Sequence, residues 1–388
     1  MFRLKRLTLT DFRSYAALTW RPATRISVLH GPNGSGKTNL LEAVSLLVPG
    51  RGLRGARNAD LPRRGGQGVW AVAGRLQTAD GAVDIGTGTT EAAPDRRIFR
   101  LDGSAPRSQA DIARVAAAVW LTPQMDRLFQ EGVSGRRRFL DRLVWALEPH
   151  HAREMAAHDT AVGSRNRLLA ENRQDRAWVA GLEDSIARHA VAATASRLTL
   201  VNRLNQAISA GAVGVFPPAH IGLSCPIADR LTVEPALAVE DWLREELEAG
   251  RAHDSAAGTT AFGAHKTDLI LTDLASGMPA ALASTGQQKA LLTNVILTHA
   301  GLIAAARGFA PLLLLDEPAV HLDVARRAAL WDVLMTLPAQ TIVTGTDGDT
   351  FLPLADIAEA FVTGDGVLRP DLRFLKADTD TTSVPQAR

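Results

Sequence analysis

The chain has 388 residues, 46% hydrophobic and 22% charged, with a formal net charge of +2. That is ordinary globular composition at roughly two to three domains' length, which excludes a largely disordered or fibrous chain. The near-zero charge makes no global case for nucleic acid, the single cysteine, Cys225, excludes an internal disulfide, and no run approaches the ~18 apolar residues of a membrane span, so a soluble, cytoplasmic protein is expected.

The N-terminal residues from Met1 to Arg6 run straight into strand-like alternation, without an apolar leader. Leu7 and Leu9 between threonines, and the run Ile26, Val28, Leu29 ending at His30, predict strands. A glycine-rich turn follows, then a helix with Leu40, Leu41, Val44, Leu47 and Val48 at helical spacing, stopped by Pro49 and Gly50. Strand, glycine turn and helix open an α/β unit. From Gly65 to Leu101, short strands around Val69–Val72 and Arg97–Leu101 alternate with turns.

Between about Ser134 and Ala210 the texture changes to long helices. Phe139, Leu140, Leu143, Val144 and Leu147 share one face before Pro149. Trp178, Leu182 and Ile186, then Val191, Leu198, Val201, Leu204 and Ile208, predict one or two further helices, forming a helical lobe or a short antiparallel hairpin. A Pro/Gly-rich join over Gly211–Pro226 leads to a helix around Val239–Glu248, and Ala252–Gly263 reads as a loop. The α/β texture then returns with a helix from Gln287 to about Ile303, the apolar strand Leu312–Leu315, a helix from Val324 to Leu337 and the strand Thr341–Thr344. From Ala377 the tail is polar, and disorder is expected.

Gly31-Pro32-Asn33-Gly34-Ser35-Gly36-Lys37-Thr38 fits the eight-position phosphate-binding loop at every fixed position and lies between a predicted strand and helix. Its glycines let backbone N–H groups curl around phosphate oxygens at a helix N-terminus. Lys37 would neutralise the β/γ-phosphates and Thr38 would sit on Mg²⁺. The complement is Leu312–Leu315 followed by Asp316 and Glu317, two carboxylates at the C-terminal end of a strand apolar on both faces. Asp316 would hold Mg²⁺, and Glu317 is placed to accept a proton from an attacking water.

Ser284-Thr285-Gly286-Gln287-Gln288-Lys289, at a helix start, resembles the signature motif of the ABC ATPase superfamily, although alone it is also an ordinary helix N-cap. Asp316–Asp323 resembles that superfamily's Walker B and D-loop, and Gln124 falls where the Q-loop belongs. In that superfamily one subunit's signature completes the other's phosphate site, so one loop and one signature per chain imply a homodimer with sandwiched ATP.

The opening Leu7–Tyr15, the run Gly34–Ala43, the arginine-rich Ser134–Asp141 and the segment Gly263–Leu269 resemble the RecF family in order along the chain. Ala264, Lys266 and Thr267 depart from that family's pattern. The resemblance implies an α/β fold, an ABC-type P-loop ATPase head of the SMC-like branch with an inserted α-helical lobe. The expected division is an N-terminal ATPase part over 1–123, a helical lobe over 124–261, a C-terminal ATPase part over 262–376 and a tail over 377–388. The resemblance implies ATP contacts at Asn33, Gly34, Ser35, Gly36, Lys37, Thr38 and Asn39. Gln124 would report on Mg²⁺ and the γ-phosphate, while Ser284, Gly286, Gln287 and Asp323 would serve the partner's ATP. Arg13 is a weaker candidate for the phosphates. Thr346, or a neighbour, stands where many ABC ATPases carry a histidine, which points to slow turnover.

The activity so implied is slow, DNA-stimulated ATP hydrolysis that resets an ATP-dependent dimer clamping DNA, in recombinational repair and replication, with RecO and RecR as partners and no membrane. Arg51, Arg54, Arg57, Arg63 and Arg64 form one candidate cluster for duplex, gapped or junction DNA. For Arg136, Arg137 and Arg138 a structural or interface role is favoured. The alternative reading is the ATP-hydrolysing subunit of a membrane transporter, disfavoured by the length of the helical insert between Gln124 and Ser284.

Overall fold

The computed structural model describes residues 2–171 and 175–374. The tail from Ala377, expected to be disordered, lies outside those residues. The chain packs as two units: Met1–Arg107 with Leu312–Val320 and Arg327–Arg388, and Ser108–Pro311 with His321–Arg326.

The first unit begins with β1 (Arg3–Phe12), β2 (Tyr15–Trp20), β3 (Ile26–His30) and α1 (Lys37–Ser45), followed by β4 (Ala71–Gln77), β5 (Ala82–Thr90) and β6 (Ala93–Leu101). Five of these strands form an antiparallel sheet in the order β2-β1-β4-β5-β6. Leu4, Leu7, Leu9 and Phe12 of β1 are all buried. The step of three from Leu4 to Leu7 breaks the period of two because a register shift between Leu4 and Arg6 inserts a bulge. Arg97 of β6 donates to the carbonyls of Leu46, Val48 and Gly50, satisfying the carbonyls that follow α1.

The second unit contains α2 (Gln109–Val115), β7 (Ala118–Leu121), α3 (Val133–Leu147), α4 (His151–Ala170), α5 (Arg176–Ser209), β8 (Ala219–Ser224), α6 (Pro226–Leu231), α7 (Ala236–Ala249), α8 (Arg251–Ala257), β9 (Asp268–Asp273) and α9 (Thr285–Arg307). The helices α4 and α5 form an antiparallel hairpin: Arg165 meets Glu183, whereas the earlier Met155 meets the later Arg197. An ion network built on two fully buried arginines ties it down. Arg165 donates to Glu183 at 3.0 Å, Asp254 at 2.6 Å and the Leu247 carbonyl at 2.6 Å. Arg197 forks onto Asp141 at 2.8 and 3.0 Å and donates to Thr267 at 2.9 Å. By length and composition α9 is apolar enough to cross a membrane, but most of that stretch is buried inside this unit.

The chain then completes the first unit with β10 (Leu312–Leu315), most of α10 (Val324–Thr336), β11 (Thr341–Gly345), β12 (Ala358–Gly364) and β13 (Val367–Pro370). Its second sheet runs β13-β12-β3-β11-β10. β3 lies parallel to both β11 and β12, and all five of its residues are buried.

Four sequence expectations change. The predicted one or two helices after Trp178 are the single 34-residue α5, and Trp178 itself is 59% exposed, off the core face. The stretch read as a loop, Ala252–Gly263, begins with α8, held where Asp254 reaches the buried Arg165. The Pro/Gly-rich join contains β8, paired antiparallel with β9 and clamped by the Asn205 amide on both backbone groups of Ile221. The last strands, β12 and β13, extend the sheet beyond the sequence reading.

Candidate phosphate-binding site

The loop from Gly31 to Gly36 joins the buried β3 to α1, with Gly31, Gly34 and Gly36 all at positive φ. Lys37 is buried and its ammonium donates to the Gly31 carbonyl at 2.7 Å and the Pro32 carbonyl at 2.9 Å. Burial pushes its pKa below the ordinary lysine value, partly opposed by the negative charges of Glu317 and Asp316. The Tyr15 hydroxyl, in the β2 strand, donates to the Gly36 carbonyl at 3.1 Å, and burial pushes that phenol well above its usual range. Asn39 donates to Ser14 at 3.0 Å and accepts from Arg54 at 2.8 Å. Asn33 and Gly34 are exposed at the loop's tip.

Asp316 and Glu317 emerge at the end of β10. Asp316 Oδ1 accepts from the Thr38 hydroxyl at 2.9 Å and the Thr344 hydroxyl at 2.7 Å. The Glu317 N–H donates to Thr344 Oγ1 at 2.9 Å, and Glu317 has φ +48, the left-handed region that a branched or long side chain rarely occupies. The phosphate loop and the paired carboxylates therefore share one hydrogen-bond chain. Thr38 and Asp316 together present the hard oxygen donors that suit Mg²⁺.

Arg13 lies beside this loop, but its guanidinium forks onto the fully buried Glu42 at 2.8 Å through both contacts and donates to the Asp60 carbonyl at 2.6 Å. Within the first arginine cluster, Arg63 pairs with Asp11 at 2.7 Å and Arg54 is engaged by Asn39. Arg51, Arg57 and Arg64 are exposed. Thr346 is exposed immediately after β11.

The remaining candidates lie in the second unit. Gln124 is exposed in the short turn Pro123–Arg127. Ser284 caps α9 and forms a reciprocal capping box with Gln287. A Cβ on Gly286 would stand 2.9 Å from the His321 carbonyl oxygen, so the close approach of that backbone demands glycine. Lys289 pairs with Asp126 at 3.7 Å, both buried, and burial raises the Asp126 pKa against the lysine's pull. Asp323 accepts from the Arg326 N–H at 2.8 Å. In the second arginine cluster, Arg136 is fixed by a bidentate pair with Asp268 at 2.7 and 2.9 Å, and Arg137 reaches the Thr267 carbonyl at 3.3 Å.

Sequence reasoning missed Thr344 and Thr363. Each is a buried threonine near the C-terminal end of its strand, β11 and β12 respectively, in a strand that carries another polar residue, so the sequence offers no clean signal for either.

Residues 3–367 match the model of the RecF/RecN/SMC N terminal domain. A relative from Mesorhizobium japonicum, named DNA replication and repair protein RecF, is 44% identical over 370 residues, covering 95% of this chain and 97% of its own. A solved structure of the recombination mediator protein RecF–ATPrS in the RecFOR pathway superposes with a TM-score of 0.83 at 21% identity, covering 95% of this chain and 98% of that one. A second, of RecF–ATP in the same pathway, gives 0.81 at 20% identity, covering 95% and 99%.

Proposed function

The chain belongs to the RecF family, and on that premise we propose that it is a DNA replication and repair protein whose ATP-driven dimer clamps DNA at gaps or stalled forks. The fold is that of an ABC-type ATPase, and ATP is the ligand of the glycine loop. The observation that carries the reading is the chain Thr38–Asp316–Thr344–Glu317, which joins the loop to the carboxylates at hydrogen-bond distance.

Lys37 neutralises charge on the β- and γ-phosphates, and the Thr38 hydroxyl and Asp316 carboxylate would hold a Mg²⁺ ion, which would supply charge neutralisation at the transferring phosphoryl group. Glu317 takes a proton from the water that bonds to the γ-phosphorus, the bond to the bridging oxygen breaks, and ADP leaves. Asn33, Gly34, Ser35, Gly36 and Asn39 line the loop, and Gln124 reports on its occupancy. Ser284, Gly286, Gln287 and Asp323 act on the ATP of a second copy. Turnover is slow and DNA-stimulated, with Thr346 in place of a switch histidine, and suits a timed clamp. RecO- and RecR-type proteins are the partners, and the address is cytoplasmic. The functional division falls near 124 and 261, between ATPase parts and lobe. The transporter alternative is not favoured, because the resemblance to RecF runs over nearly the whole chain.

The test is fluorescence anisotropy on duplex, gapped and single-stranded DNA with and without ATP·Mg²⁺. Glu317→Gln should bind DNA in an ATP-dependent manner and Lys37→Ala should not. Absence of binding at low salt, despite ATP-driven dimerisation, overturns the DNA clamp. Normal hydrolysis by Glu317→Gln removes Glu317 as the base.

A further inference from the structure

The back of the phosphate loop is bonded to β12. Thr363 Oγ1 donates to the His30 carbonyl at 3.2 Å and lies 2.6 Å from Ser35 Oγ. Either hydroxyl can donate in the second bond, and with the single Thr363 proton on the His30 carbonyl the donor there is Ser35. The result is a directed chain, Ser35 to Thr363 to the His30 carbonyl, which spans the loop from its entry at β3 to the residue before Gly36. The β12 backbone is pressed against the same place: a Cβ on Gly31 would meet the Thr363 carbonyl oxygen at 2.7 Å, and Gly31 has φ +145. His30 is held a second time, through its ring, by Asp371 at 2.8 Å, and Asp371 is gripped in turn by Arg373 at 2.6 Å. Thr363 is 1% exposed, so its hydroxyl is not a surface ornament.

We propose that Thr363 is a positioning residue for ATP binding, which fixes the curvature of the Gly31–Gly36 loop through Ser35 and the His30 carbonyl. This rests on the reading of that loop as the ATP site. A loop held in its binding shape before the nucleotide arrives loses less binding energy to ordering, so the latch acts on affinity. It leaves untouched the Thr38–Asp316–Thr344–Glu317 chain that governs the chemical step.

The experiment compares wild type with Thr363→Val, Thr363→Ser and Ser35→Ala in the full chain. Affinity for a fluorescent ATP analogue with Mg²⁺ is read by titration, single-turnover hydrolysis at saturating ATP by rapid quench, and the nucleotide-free thermal midpoint by circular dichroism. Thr363→Val should weaken nucleotide binding about tenfold, as expected for loss of one structural hydrogen bond, with the saturated rate within about twofold of wild type, and Ser35→Ala should weaken binding by a similar factor. Thr363→Ser should recover most of the affinity. Together Thr363→Val and Ser35→Ala should cost little more than either alone, because both break one chain. A Thr363→Val protein with a lower thermal midpoint and unchanged affinity overturns the proposal and leaves Thr363 a packing residue. So does a serine variant that rescues nothing. Failure of the wild type itself to bind the analogue better than Lys37→Ala overturns instead the ATP-site reading beneath it.

Discussion

Thr38 and Asp316 are joined by a 2.9 Å hydrogen bond although 278 residues separate them in the chain. The same carboxylate oxygen accepts from Thr344, whose hydroxyl oxygen takes the Glu317 N–H. A single hydroxyl on β11 thus sets the backbone of Glu317, the residue proposed to take the water's proton, at a point where that backbone is already strained.

Thr344→Val keeps the volume of the side chain and removes that hydroxyl. It takes the Thr344 acceptor from the Glu317 N–H and one donor from Asp316. The expected result is a fall in kcat for ATP hydrolysis of about 10- to 100-fold, the range of one hydrogen bond to a charged group, with ATP affinity nearly unchanged. Steady-state kinetics beside a nucleotide titration separates the two parameters. An equal loss in affinity would assign Thr344 to binding.

Gly286→Ala places a methyl 2.9 Å from the backbone oxygen of His321, and neither side of that contact is a flexible side chain. The variant should lose about 1–3 kcal/mol of stability, as overpacking of a close contact does. Thermal and urea unfolding measure it. An unchanged midpoint would mean that the turn at His321 yields.

Two histidines of the second unit predict an acid-sensitive stability. Burial lowers the His299 pKa to about 3, opposed by the Leu143 carbonyl and assisted by Arg142. Burial likewise lowers that of His265 to about 4, opposed by the Thr260 carbonyl and assisted by His158, Lys266 and Arg137. Both are neutral in the folded chain while the unfolded chain takes up protons near pH 6.5, so the unfolded state binds more protons below that value. Stability should therefore be flat above pH 6.5 and fall as pH drops towards 4, each histidine contributing at most about 1.4 kcal/mol per pH unit. Urea unfolding across that window checks it, and His299→Leu should flatten the slope by about one such increment.

Arg51, Arg57 and Arg64 are exposed, whereas Arg63 is paired with Asp11. If the first cluster carries the DNA contacts, converting the three exposed residues to alanine should lower affinity for every DNA sequence alike. It should also shallow the slope of log affinity against log salt by about 0.9 for each phosphate no longer neutralised. Arg63→Ala should instead act through the Asp11 turn and show itself in thermal stability. An unchanged salt slope in the triple variant would move the DNA surface elsewhere.

The parts of the fold that could be read in advance are those with a period or a fixed spacing. The five apolar residues picked out between Phe139 and Leu147 are the five that α3 buries, and β3, α1 and β10 fall around the glycine loop and the paired carboxylates as their patterns require. What escaped lies in bonds between residues far apart in sequence. Thr344 and Thr363 carry no spacing signal, because what matters is the partner each meets across the sheet. Arg165 and Arg197 carry no signal either, since a charged helical residue is ordinarily exposed and nothing local marks the carboxylate it meets in the interior. Trp178 erred the other way, its apolar ring fitting the helical period while standing in solvent.

The buried ions of the α4–α5 hairpin cost desolvation energy that an apolar seam would not, and they settle its alignment in return. Leucines and alanines along two helices tolerate a slip of one turn; a guanidinium that must meet Glu183, Asp254 and a carbonyl does not. Such a slip strands a charge in the interior at about 3–5 kcal/mol. With α5 alone running 34 residues, about 50 Å at 1.5 Å per residue, these few charged contacts fix one register for a long helix pair.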